Sequence, residues 1–223
     1  MTPTQDAARQ IRRKSEARPA PTGLLGPSVR TLLRPAFDQA CADLMRLVEA
    51  DYAPSVIIGI RTGGLVVAEA MAHVAAASLP VLPLTCRRAS TDTKSRLPLL
   101  RTTLGALPRP LVNLLRRVEH RYVTAGRVRL LSEQVIDQAE LAAIGAYLAA
   151  GASPARILVA DDAVDSGVTL ATVLELLQGI VPAGSDIRSA AITQTLEHPK
   201  TFPDYVLFHG TLCRFPWSFD AAG

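Results

Sequence analysis

Apolar positions along this chain fall into two alternating spacings. Val56 to Ile60, Pro80 to Thr85, Ile157 to Ala160, Ile187 to Thr193 and Tyr205 to Phe208 are short, mostly apolar runs, as expected of strands buried on both faces of a parallel sheet. Around them the spacing becomes helical. Leu32, Leu33, Phe37, Cys41, Leu44, Met45 and Val48 form one stripe within Val29 to Ala50, which predicts a helix ahead of the first strand. Further helices are predicted over Leu65 to Ala76, Ile136 to Ala150 and Leu170 to Leu177. A helix-like piece at Leu111 to Val118 sets its leucines opposite Arg116, Arg117 and Arg121. The alternation predicts an α/β fold: a single, mostly parallel five-strand sheet with helices on both faces. No internal repeat is evident.

Composition bounds this picture. At 223 residues and 48% hydrophobic, the chain can bury one substantial core, one domain plus embellishments. Its apolar runs are interrupted too soon to span a bilayer, and its first residues are polar and arginine-bearing, so the expectation is a cytoplasmic protein with no membrane partner. Cys41, Cys86 and Cys213 are widely separated and read as buried thiols. The four histidines, His73, His120, His198 and His209, show no ligand spacing.

The net charge of +4 is unevenly distributed. Met1 to Arg30 carries six basic residues against Asp6 and Glu16, together with several Pro, Gly and small polar residues, so residues 1–27 read as a basic flexible tail. Residues 28–223 form the expected domain. Within it, Cys86 to Leu130 holds eleven Lys or Arg against Asp92 and Glu119, which marks about 87–128 as a basic insertion. Its first part, Arg87 to Arg96, reads as a mobile loop.

The chemistry-bearing residues lie where strands are predicted to end. Residues 157–169, ILVADDAVDSGVT, run an apolar strand into Asp161 and Asp162, then Asp165, then a Ser-Gly turn that opens a helix. In open α/β sheets ligands bind beyond the carboxyl ends of strands, and there Ser166, Gly167, Val168 and Thr169 would aim N–H groups and hydroxyls at a phosphate. Asp161 and Asp162 can accept hydrogen bonds from a vicinal diol or hold water on a divalent metal. The plainer alternative is an acidic loop followed by an ordinary helix cap. Earlier, Val56 to Ile60 lead into Arg61-Thr62-Gly63-Gly64 before a helix: the glycines admit a bulky anion to the backbone, and Arg61 adds a fixed positive charge. Alone, that pair of glycines is equally a tight turn.

Together and in this order, the two motifs resemble those of the type I phosphoribosyltransferases, over roughly residues 50–75 and 155–217. The resemblance implies that Arg61, Thr62, Gly63 and Gly64 bind the pyrophosphate of phosphoribosyl pyrophosphate. It implies that Asp161 and Asp162 face the ribose hydroxyls and hold Mg2+, directly or through water, and that Asp165, Ser166, Gly167, Val168 and Thr169 cradle the 5′-phosphate. A third carboxylate is most similar to the 6-oxopurine (xanthine, guanine, hypoxanthine) branch, where the matching Asp is the candidate acid/base; that role falls to Asp165. The branch places a Lys after the next strand, whereas this chain reads Thr193-Gln194-Thr195, so Gln194 is a candidate for a base edge or the acceptor is another base. Phe215 and Trp217 either stack on the base or pack the core. Arg87, Arg88 and Lys94 are the flexible-loop candidates.

The expected activity is Mg-dependent transfer of phosphoribose from phosphoribosyl pyrophosphate to a nucleobase nitrogen, purine-type favoured, in a homodimer. The alternative is a nucleotide-sensing regulator of the same fold, with Arg109 to Arg129 meeting RNA phosphates.

Overall fold

The computed structural model describes residues 28–88, 134–151 and 153–218. The tail at 1–27, Lys94 and nearly all of the basic insertion, including Arg109 to Arg129, lie outside the described residues.

Six strands form the main sheet in the order β4-β3-β2-β5-β6-β7. They are β2 (Val56–Arg61), β3 (Val81–Arg88), β4 (Gln134–Ile136), β5 (Arg156–Val164), β6 (Asp186–Gln194) and β7 (Tyr205–His209). The five expected strands are the parallel ones. The sixth, β4, pairs antiparallel with β3, matching Arg87 to Val135 and Arg88 to Gln134. Arg87 and the backbone of Arg88 therefore extend a strand, where a mobile loop had been expected to begin. Three residues are too few to display a period, so β4 leaves no mark in the sequence pattern.

A second, two-stranded parallel sheet joins β1 (Ser28–Thr31) to β8 (Thr211–Arg214). The first helix, α1, is accordingly shorter than its stripe, spanning Arg34–Glu49 with a proline in its first turn. Proline has no N–H to give and fits a helix only at that end, so Pro35 sets the start, leaving Val29 and Arg30 to pair with β8. The other helices are α2 (Gly63–Val74), α3 (Gln138–Ala150) and α4 (Val168–Gln178). Asp137 caps α3 by accepting the N–H groups of Ala139 and Glu140, which ends β4 and starts the helix two residues later than the stripe suggested.

Side-chain alternation along the strands separates two cores. Ile57, Leu158, Ala190 and Ile192 face α1 and α2, packing with Phe37, Leu44, Met45 and Met71. Ile58, Ile157, Val159 and Ala191 face α3 and α4, packing with Ile144, Leu148, Leu170 and Val173. At the amino edge of the sheet the Tyr52 ring lies between the guanidinium groups of Arg156 and Arg188, 4.5 and 4.6 Å from its centroid. Its hydroxyl is within hydrogen-bonding distance of the Ile157 and Asp186 carbonyls. No helix among the described residues is long and apolar enough to cross a membrane.

Candidate functional site

The direct pairing of β2 with β5, Val56 to Ile157 through Gly59 to Ala160, brings the two motifs side by side at the carboxyl edge. They meet at van der Waals range. A Cβ on Gly63 would lie 2.2 Å from Asp162 Oδ2, and one on Gly64 would lie 2.6 Å from the Ala160 carbonyl oxygen. No side chain fits in either gap, so the start of α2 abuts β5 only because both residues are glycine. Thr62 precedes α2 without a side-chain cap, and the Arg61–Thr62 peptide is cis.

β5 runs four residues beyond the predicted Ala160, to Val164, so Asp161 and Asp162 belong to the strand itself. Asp161 Oδ1 accepts the Asp162 N–H at 2.9 Å. Burial pushes both carboxyl groups above the ordinary carboxylate range; for Asp161 the charges of Asp162 and Asp165 push further the same way. Adjacent oxygen donors that hold protons more tightly than usual suit a hard divalent cation, which would displace those protons. Among the described residues, no group of three or more His, Cys, Asp or Glu side chains is gathered for a metal.

The turn after β5 is braced from the opposite side. Gly167 takes the left-handed conformation at φ 70°, and a Cβ there would lie 2.6 Å from the Thr201 carbonyl oxygen. Lys200 donates its N–H to the Ser166 carbonyl at 2.7 Å. Thr195 donates its hydroxyl to Asp165 Oδ1 at 2.5 Å, fixing that carboxylate at the end of β6. Val168 and Thr169 follow as the first turn of α4, with their N–H groups facing this edge.

Two contributors escape any reading of local sequence. Glu140 accepts from Arg61 Nε at 3.0 Å through one oxygen and from the Thr85 N–H at 2.5 Å through the other, tying the Arg61 side chain to α3 and β3. Thr195 is the other. Asp137-x-x-Glu140 resembles a capping box, but nothing along the chain pairs Glu140 with Arg61.

The candidate base contacts, Gln194, Phe215 and Trp217, each have partners within the fold. Gln194 is 4% exposed and donates its amide to the Leu196 carbonyl at 2.8 Å, satisfying its own turn. Phe215 stacks on Trp217 with centroids 5.0 Å apart, and both meet Phe37 of α1 edge-on. The aromatic ending therefore packs the α1 face of the core, the second of its two open roles. The β1–β8 pair follows β7 at the carboxyl end of β6, where Gly210 donates its N–H to the Gln194 carbonyl. Thr193 Oγ1, within 2.6 Å of the Thr211 carbonyl and 3.1 Å of the Phe208 carbonyl, ties it to the main sheet. Cys213, on β8, is half-buried, and burial pushes its thiol up to about 11.

The model of the phosphoribosyl transferase domain family matches residues 28–220. No curated protein sequence matches the chain. Among solved structures, a purine phosphoribosyltransferase from Pyrococcus horikoshii aligns at 20% identity and a TM-score of 0.54, over 85% of this chain and 94% of that one. A xanthine-guanine-hypoxanthine phosphoribosyltransferase from Helicobacter pylori aligns at 18% identity and a TM-score of 0.56, over 86% of this chain and 95% of that one. At these identities the likeness is one of fold.

Proposed function

The chain belongs to the phosphoribosyl transferase domain family, and on that premise we propose that it moves phosphoribose from phosphoribosyl pyrophosphate to a ring nitrogen of a purine-type base. The products are pyrophosphate and a nucleoside monophosphate. The observation that carries this reading is the contact of the Gly63 backbone with the Asp162 carboxylate, which sets an anion-accepting helix start against a diol-accepting pair. The purine preference is supported by the third carboxylate, Asp165, and by the activities named for the two structural relatives.

The incoming nitrogen attacks the anomeric carbon as the bond to pyrophosphate breaks, and the sugar passes through a cation-like state. Arg61 and the first N–H groups of α2 take up the charge on the departing pyrophosphate, with Glu140 orienting the guanidinium. Ser166 to Thr169 hold the 5′-phosphate. Asp161 and Asp162 accept the ribose hydroxyls and would hold Mg2+, which supplies positive charge to the leaving group. Asp165, oriented by Thr195, takes the proton from the incoming ring. A homodimer is the assembly in which we expect this to occur.

Calorimetry with magnesium and phosphoribosyl pyrophosphate, followed by a panel of bases, tests the reading. Saturable sugar binding and a purine-dependent second heat are expected; no sugar binding would overturn it. In the same assay Asp165→Asn is expected to cut turnover by about 100-fold or more while leaving sugar affinity nearly unchanged. Equal losses in both would remove Asp165 from the proton step.

A further inference from the structure

Glu140 sits where a capping box would place it, yet its carboxylate makes its hydrogen bonds outside its own helix. In such a box the glutamate of the first turn reaches back to the N–H of the capping residue; here the Asp137 N–H donates to the Thr85 carbonyl at 3.1 Å instead. One Glu140 oxygen is spent on Arg61 Nε and the other on the Thr85 N–H. Arg61 and Thr85 are register partners on β2 and β3, so a single carboxylate bridges two neighbouring strands at the end of β2, directly ahead of Thr62 and the start of α2. Thr85 is held by the cap and first turn of α3 through both of its backbone polar groups, which fixes the plane of the carboxylate and with it the Arg61 guanidinium. The Glu140 side chain is 21% exposed and that of Arg61 41%, so the acid is the inner member of the pair and the arginine the outer one.

We propose that Glu140 is a positioning residue for the pyrophosphate half of the site alone: it presets Arg61 for the leaving group and has no part in holding the 5′-phosphate. This inference rests on the phosphoribosyl-transfer reading and assigns, within that site, the residue that sets the grip on pyrophosphate. A free arginine side chain samples many rotamers, and a ligand that captures one of them bears the entropy of fixing it. Glu140 meets that cost on folding, before any ligand arrives. With Nε taken, the two terminal NH2 groups of Arg61 are left as donors, a geometry suited to bidentate contact with phosphate oxygens. The 5′-phosphate turn is braced by Lys200 and Thr201, from the β6 side of β5, whereas Glu140 works from the β3 side of β2. The two halves of the site therefore have separate supports, and a change at Glu140 reaches one of them only.

The test titrates magnesium pyrophosphate and, separately, ribose 5-phosphate onto the full chain in five forms: wild type, Glu140→Ala, Glu140→Gln, Arg61→Ala and the Glu140→Ala, Arg61→Ala double variant. Glu140→Ala is expected to weaken pyrophosphate by about fivefold or more while changing ribose 5-phosphate by less than about twofold, the second titration also showing that the variant is folded. Glu140→Gln, which keeps an acceptor for Nε, should recover most of the loss. In the Arg61→Ala background, removing Glu140 should weaken pyrophosphate no further, because the acid acts through the arginine. Unchanged pyrophosphate affinity in Glu140→Ala, equal losses for both ligands, or additive losses in the double variant would overturn the assignment while leaving the transfer reading in place. Wild type that binds neither pyrophosphate nor phosphoribosyl pyrophosphate would instead count against the transfer reaction itself, and this role would fall with it.

Discussion

Asp161 and Asp162 show what one residue's surroundings do to its chemistry. Their carboxyl groups hold protons above the usual range because they are partly buried and because other carboxylates stand close, Asp162 and Asp165 to Asp161 and Asp165 to Asp162. An acid whose folded pKa exceeds its unfolded one binds more protons when folded, so stability falls as pH rises between those two values. Asp161→Asn removes that penalty. The ligand-free variant is expected to melt about 2–4 °C above wild type near neutral pH, with the gap closing as the pH falls toward about 4. Thermal unfolding across that range checks it; a gap independent of pH would contradict the burial. The pair itself was legible in the sequence, because adjacent carboxylates after an apolar run are a local pattern. Thr195 and Glu140 were not, since each acts by touching a residue far along the chain.

At the scale of elements, the site is the meeting of the α2 start with the end of β5. Their approach leaves no room for a Cβ at residue 63. Gly63→Ala is therefore expected to push Asp162 aside at a cost of about 1–3 kcal/mol and to weaken binding of phosphoribosyl pyrophosphate by about tenfold or more. Calorimetry at a temperature where the variant remains folded measures this, and wild-type affinity would show that the two elements can separate harmlessly. The long elements were read correctly in kind, their ends less so. β5 continues through its carboxylates because Asp161, Ala163 and Val164 pair with Ala191, Thr193 and Gln194 of β6, a match that polarity along the chain argues against. β1 and β4 are three or four residues long and owe their existence to the strands they join.

Across the whole molecule, strand order does the assembling. β2 lies between β3 and β5, so residues about a hundred positions apart share one edge, while α1 closes the far face and receives the chain's aromatic ending. Phe37 is 1% exposed and meets both Phe215 and Trp217. Phe37→Ala is expected to cost about 3–5 kcal/mol of stability in denaturant unfolding while leaving sugar binding intact below the transition; lost binding there would place the aromatic cluster in the site. The sequence by itself determined the alternation of strand and helix and the chemistry of the two loops, because periodicity, glycine and clustered carboxylates act over a few residues. Only the tertiary structure decided that Glu140 holds Arg61, that Gln194 donates back to the Leu196 carbonyl, and that Trp217 packs against Phe37 and Phe215. Those outcomes depend on side chains brought together by strand pairing and core packing, and spacing along the chain carries no record of which distant residue will be the neighbour.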